Sequence, residues 1–298
     1  MEKLADAVGD LSIAEGGGAV AAPPSPPATA AKAAEMAVQV SSTFSEALAA
    51  AFAGATLVAL DAEGVDLSRH GEISIVQLAT PRQCFLLDVL GKTAADPLVV
   101  WLGGLLGDPG VVKIIHDCRM DADALYHLLS IDLTNVHDTS CWHNVLQGGV
   151  DKNLNDTLSA NGLAPNEMRD GSVYRTNPRF WATRPLTPAM VEWASGDVAS
   201  MFALHLRQTE RAQEGQQQRR IESKTASFLS WKSAEVSFVT VRNPGRFIGK
   251  GGCNIRSLQR RTATVIYGAP SSMGGRSTFM VYHRDQSALC AVQQAARA

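Results

Sequence analysis

Ala55-Thr56-Leu57-Val58-Ala59-Leu60-Asp61-Ala62-Glu63-Gly64 is the stretch on which the fold turns. Its apolar run reads as a buried strand. The run ends in two acids, Asp61 and Glu63, where a carboxylate loses hydration. Two more acids recur in similar settings. Asp121 follows the strand-like Val111-Val112-Lys113-Ile114-Ile115 and opens a helical segment over 121–129. Asp197 sits inside a helical pattern over 190–202. Carboxylates that converge at strand ends repel one another and persist there mainly where cations hold them. Two divalent metals roughly 3.5–4 Å apart, set to clamp a phosphate, account for all four.

Outward from this stretch the pattern is of short strands, then of strands alternating with helices. Thr43-Phe44-Ser45-Glu46 fits a capping box and predicts a helix through Ala53. Strands are expected at 56–61, 72–79, 83–88, 111–115 and 133–137, with helices at 95–106, 119–130 and several more up to about 212. This order implies an α/β fold, a mixed sheet flanked by helices.

The motifs add a resemblance. Asp61-Ala62-Glu63-Gly64 resembles the first motif of the DEDD superfamily of 3′-5′ exonucleases. His116-Asp117-Cys118-Arg119-Met120-Asp121, with Leu125 four residues on, resembles the second. Trp193-Ala194-Ser195-Gly196-Asp197, preceded by Arg184-Pro185-Leu186, resembles the third, much as in ribonuclease D. The stretches 61–80 and 114–139 look closest to the Egalitarian-like and EXD-type branch. The resemblance covers about 38–210 and implies a ribonuclease H-like sheet. It makes Asp61, Glu63, Asp121 and Asp197 the metal-binding and catalytic set. Oxygen-only ligands suit Mg²⁺ or Mn²⁺ rather than zinc, and two such ions are expected. The implied reaction releases a nucleoside monophosphate from a 3′ end.

One position departs from that pattern. The ribonuclease D branch has tyrosine four residues before the last aspartate, and this chain has Trp193. A phenol donates and accepts hydrogen bonds, whereas an indole only donates. The position before it, histidine in another branch, is Glu192, read as a surface residue. Losing a positioned general base costs about 10²–10⁴ in rate while metals remain bound. The two readings are therefore a slow exonuclease and a catalytically inactive or weak RNA-binding adaptor that keeps the exonuclease fold. Beside the site, Asp138 is read as a helix cap, His116 and Asp117 as supporting residues, and Arg184 as fixing the helix of Asp197. Gln77 is left between supporting the sheet and meeting a nucleotide. Trp142 and Trp181 are read as core aromatics.

Composition divides the chain. Hydrophobic residues make up 45% and charged residues 19% of its 298 positions, enough to bury a core. Residues 1–37 include Gly16-Gly17-Gly18 and Pro23-Pro24-Ser25-Pro26-Pro27 and read as a disordered, low-complexity tail. Its acids, Glu2, Asp6, Asp10 and Glu15, do not fit a transit peptide. No apolar run approaches the roughly 20 residues that cross a bilayer, so no membrane partner is expected. The five cysteines show no paired spacing. They fit reduced thiols in an intracellular protein, cytoplasmic or nuclear.

The expected units are 38–212, a connector at 213–232 whose polar run Gln216-Gln217-Gln218-Arg219-Arg220 fits either a continued helix or a flexible segment, and 233–298. From Trp231 onward ten basic residues face two acids, Glu235 and Asp285, a local charge of +8 in a chain of net −2. Such polarity between halves suggests a polyanion partner. Phe247-Ile248-Gly249-Lys250-Gly251-Gly252-Cys253-Asn254-Ile255-Arg256-Ser257-Leu258 resembles the GxxG signature of a KH domain. Strands at 235–241, 263–268 and 277–283 and a helix at 285–297 complete the α+β order βααββα. The resemblance implies that Gly249, Lys250, Gly251 and Gly252, with Arg256 and Arg260, hold RNA or another single-stranded nucleic acid. Ile248, Ile255 and Leu258 are expected to pack inward.

Overall fold

The computed structural model describes residues 36–149, 151–212, 215–269 and 277–297. Most of the expected tail lies outside these residues. Alternation along the strands builds two layers around one six-stranded sheet. In chain order its strands are β1 (Ala37–Ser41), β2 (Leu57–Val65), β3 (Glu72–Ala79), β4 (Gln83–Asp88), β5 (Val112–Ile115) and β6 (Val136–Asp138). The spatial order is β1-β4-β3-β2-β5-β6. β2, β3 and β4 pair antiparallel; β1 on β4, β5 on β2 and β6 on β5 are parallel.

Val58, Leu60 and Ala62 face a core shared with α1 (Glu46–Phe52), α2 (Pro97–Gly107) and α3 (Arg119–Leu129). Ala59, Ile75 and Ile114 face the other core, shared with α5 (Leu154–Ala160) and α7 (Pro188–Arg211). α4 (Thr139–Gln147) and the short α6 (Val173–Thr176) lie between these in the chain. Period-two alternation therefore puts Asp61 and Glu63 on the face of α7, the helix that carries Asp197. β2 runs to Val65, four residues past the expected end, because β3 continues to pair with it through a bulge between Glu63 and Gly64. A Cβ on Gly64 would meet the Glu72 carbonyl oxygen at 1.9 Å, so the bulge needs glycine there.

Three local expectations are amended. Ser45, not Thr43, caps α1, its side chain accepting from Leu48 N–H at 3.1 Å. Residues 37–41, unassigned in the sequence reading, add an edge strand on β4. Over the expected connector, Gln216–Leu229 forms a helix, α8, packed on α3 and α4, and its Phe228 joins the first core. The polar run Gln216-Gln217-Gln218-Arg219-Arg220 fits a helix or a flexible connector, and Phe228 and Leu229, packing into the first core, go with the helix.

The second unit is a three-stranded antiparallel sheet, β7 (Glu235–Thr240), β8 (Val265–Gly268) and β9 (Thr278–His283), in the order β7-β9-β8. α9 (Pro244–Ile248), α10 (Cys253–Thr262) and α11 (Gln286–Arg297) cover one face through Phe247, Leu258, Leu289 and Val292, with Ile248 and Ile255 partly buried among them. The other face, Val265, Met280 and Tyr282, packs on Met120 of α3 and on Trp231. A buried ion pair fastens this contact. Asp123 of α3, fully buried, accepts from Arg69 Nε at 2.9 Å, Arg69 Nη2 at 2.6 Å and Tyr282 Oη at 2.9 Å. Arg69 also donates to the carbonyls of Trp231, Lys232 and Ala234. No helix among the described residues is long and apolar enough to cross a membrane.

Candidate active site

Asp61 and Glu63 reach the α7 face from β2, and Asp197 meets them from the middle of α7. One carboxylate oxygen from each lies within 4.8 Å of the others. Asp121, in the first turn of α3, is buried and accepts from the Ala62 N–H at 3.0 Å, which ties it to the same strand. All but Asp197 line one cleft of about 230 Å³ together with His116, Asp117 and Tyr174. The structure thus brings Asp61, Glu63 and Asp197 together, and places Asp121 beside them on the cleft that Asp61 and Glu63 line.

Asp197 is fully buried and held on both oxygens. Oδ1 accepts from Asn166 Nδ2 at 2.8 Å; Oδ2 accepts from Trp193 Nε1 at 3.0 Å and pairs with Arg169 Nη1 at 3.2 Å. Asn166 is itself fixed by two bonds with Asn155. Gly196 makes room for it, since a Cβ there would lie 2.8 Å from Asn166 Nδ2. Trp193 is 3% exposed and packs against Tyr174, Phe180 and Trp181, so its indole serves the carboxylate. Glu192 is exposed.

The supporting residues are equally fixed. Asp138 caps α4 and also accepts from the N–H groups of Asp117 and Cys118. Burial pushes its carboxyl upward, but these bonds and the Ser140 hydroxyl hold it below the usual carboxylate range. Asp117, with a left-handed φ of 59°, grips Arg119 through two 2.5 Å bonds. Both nitrogens of His116 are bonded, to Thr139 Oγ1 and the Lys152 carbonyl, which leaves it a structural part. Arg184 binds Asp88 and the carbonyls of Ser74 and Trp181, joining the chain ahead of α7 to β3 and β4. Gln77, cross-strand from Asp61, is fully buried. Trp142 and Trp181 are buried.

The donor set fits a divalent cation. Three converging carboxylates and one guanidinium leave a net −2 before Asp121 is counted, and every candidate ligand is a hard oxygen. Sequence reasoning missed Asn166, Arg169, Tyr174 and Tyr267. They lie in irregular segments, in the one-turn α6 or in the second unit, and carry no periodic signal.

Such a cleft, built of acids on a mixed sheet and an overlying helix, defines a phosphoryl-transfer class of site. Residues 37–210 match the family described as 3′-5′ exonuclease, and the chain belongs to that family. The mouse piRNA biogenesis protein EXD1 is 32% identical over 168 residues, 51% of this chain and 29% of that protein. Ribonuclease D of Desulfotalea psychrophila is 28% identical over 154 residues, 48% of this chain and 38% of that enzyme. The match spans about a third of the length of the curated EXD1 relatives. The crystal structure of Trypanosoma brucei RNase D shares the fold, with 23% identity and a TM-score of 0.55 over 65% of this chain and 73% of that one.

The turn at 249–252 lies between α9 and α10, with φ of 76°, 56° and 74° at Gly249, Gly251 and Gly252. Lys250 and Arg260 are exposed and Arg256 is half-buried. Asn254 Nδ2 donates to the Arg246 carbonyl across the turn at 2.8 Å.

Proposed function

We propose that this chain is a metal-dependent 3′-5′ exonuclease acting on RNA or single-stranded nucleic acid, with residues 233–298 acting as a KH domain that holds the strand. The observation that carries the proposal is the meeting of Asp61, Glu63 and Asp197, with Asp121 bonded to the same strand. These four would hold two Mg²⁺ or Mn²⁺ ions. When bound, such ions lower the pKa of a coordinated water and stabilise charge on the leaving oxygen. The chain's own groups orient the set: Trp193 and Asn166 fix the rotamer of Asp197, and the Ala62 N–H fixes Asp121. The names of the EXD1 and ribonuclease D relatives fit RNA as substrate.

The second unit's order, the +8 charge from Trp231 onward and the glycine turn support the KH reading. Lys250 and the turn's N–H groups would meet phosphates, with Arg256 and Arg260 beside them. Lys250→Ala should weaken binding of all sequences and flatten its salt dependence.

An adaptor without catalysis is the second reading, favoured by Arg169 and Trp193 both engaging Asp197. One assay separates the two: 3′-labelled single-stranded RNA with Mg²⁺ or Mn²⁺, beside Asp61→Ala. Monophosphate release by the wild type alone supports the enzyme. Lys250-dependent binding without release supports the adaptor.

A further inference from the structure

The sequence treats the second unit as a tethered arm. Its docking is different in kind. Tyr267, Gly268 and Ala269, at the end of β8, line the same cleft as Asp61, Glu63 and Asp121. α3 holds both sides of this arrangement: Asp121 faces the cleft, while Met120 and Asp123 bind the second unit. The bonds that cross between the units run from Tyr282 Oη to Asp123 and from Arg69 to the Ala234 carbonyl; separating the units would strip these partners from the buried Arg69–Asp123 pair, so the two units are held in one orientation. β8 is an edge strand of its sheet, and α10, with Arg256, Arg260 and Arg261, packs next to it. Along β8, Val265 and Tyr267 share a face, and Val265 packs on the first unit through Trp231 and Met120. Tyr267 thereby stands at the seam between the two units.

We infer that the second unit forms one wall of the active cleft, so that a single strand runs from the 249–252 turn along α10 and the edge of β8, and its 3′ terminus enters the acids past Tyr267. This inference rests on the reading of 233–298 as a nucleic-acid-holding unit. It defines the substrate class. The 3′ end must be unpaired over the nucleotides that cross this wall, about four at the turn and at least one in the cleft. A blunt duplex end is excluded, because its second strand would occupy the position of β8. Tyr267 is a specificity residue that offers a ring face to a base near the terminus.

The test uses the full chain carrying Asp61→Ala, so that the probe survives. A 12-nucleotide RNA carries 4-thiouridine either at its 3′ terminus or about six nucleotides upstream. After irradiation, crosslinked peptides are mapped by mass spectrometry. The terminal probe is expected on the segment around 267–269 or on cleft residues of the first unit, and the upstream probe around 249–256. Tyr267→Ala should weaken binding of this strand roughly 5–100-fold. A blunt duplex should bind at least tenfold more weakly than the single strand. If both probes label only 249–262 and Tyr267→Ala binds as well as its parent, the continuous path is wrong while the KH reading stands. If no RNA binds in a Lys250-dependent way, the KH reading fails and takes this inference with it.

Discussion

Arg169→Gln tests the electrostatics of the site directly. The guanidinium lies 3.2 Å from Asp197 Oδ2, with side-chain exposures of 10% and 0%. At an effective dielectric near 20, a unit pair at this distance attracts by about 5 kcal/mol before desolvation is subtracted. A divalent cation that uses Asp197 must share or displace this partner and tolerate a positive neighbour. Glutamine keeps a hydrogen-bond donor and removes the charge. If even a quarter to a half of the attraction is recovered, Mn²⁺ affinity rises about 10–100-fold. Calorimetric titration of Mn²⁺ into wild type, Arg169→Gln and Arg169→Lys measures this, with Asp61→Ala as the control that loses uptake. Arg169→Lys should stay near wild type, since it retains the charge. Manganese affinity in Arg169→Gln equal to or below wild type, in a protein of unchanged melting temperature, would refute the competition.

Further outcomes concern the core and the helix ends. Lys113 is fully buried in β5, with Nζ donating to the Asp108 carbonyl at 2.7 Å, and burial lowers its pKa to about 8 against Asp108's opposing pull. The unfolded chain binds the extra proton between about pH 8 and 10.5, so stability should rise with pH across that window by about 3 kcal/mol. Lys113→Met should stabilise by about 2 kcal/mol at pH 7, after loss of one hydrogen bond, and the gain should vanish above pH 10.5 in denaturant melts. Trp193→Tyr supplies an oxygen that can accept as well as donate; hydrolysis should rise roughly tenfold or more, and an equal or lower rate would mean that the indole's bond to Asp197 outweighs the missing hydroxyl. Ala263, the left-handed C-cap of α10 at φ 49°, should gain about 1 kcal/mol of stability as glycine, read from the thermal midpoint.

Asp138 was legible as a cap because an aspartate before a helical run has one strong local use, and it caps α4. The strands at 72–79 and 83–88 matched because apolar runs between turn residues leave few alternatives. α8 stayed open between helix and flexible chain because its core contacts, Phe228 and Leu229, come only at the end of a polar segment. Asn166 and Arg169 were invisible because they reach Asp197 across about thirty residues from a segment without periodicity.

The sequence by itself determined the sheet's period-two faces, the four acids and the basic glycine turn, since each is a property of neighbours a few residues apart. Tertiary structure alone decided what surrounds them. Asp197 acquires an arginine and an indole, and Tyr267 of a distant unit becomes part of the cleft, through the buried Asp123–Arg69–Tyr282 contact. Those partners are set by long-range packing and by desolvated charges seeking counterions, which no local pattern encodes.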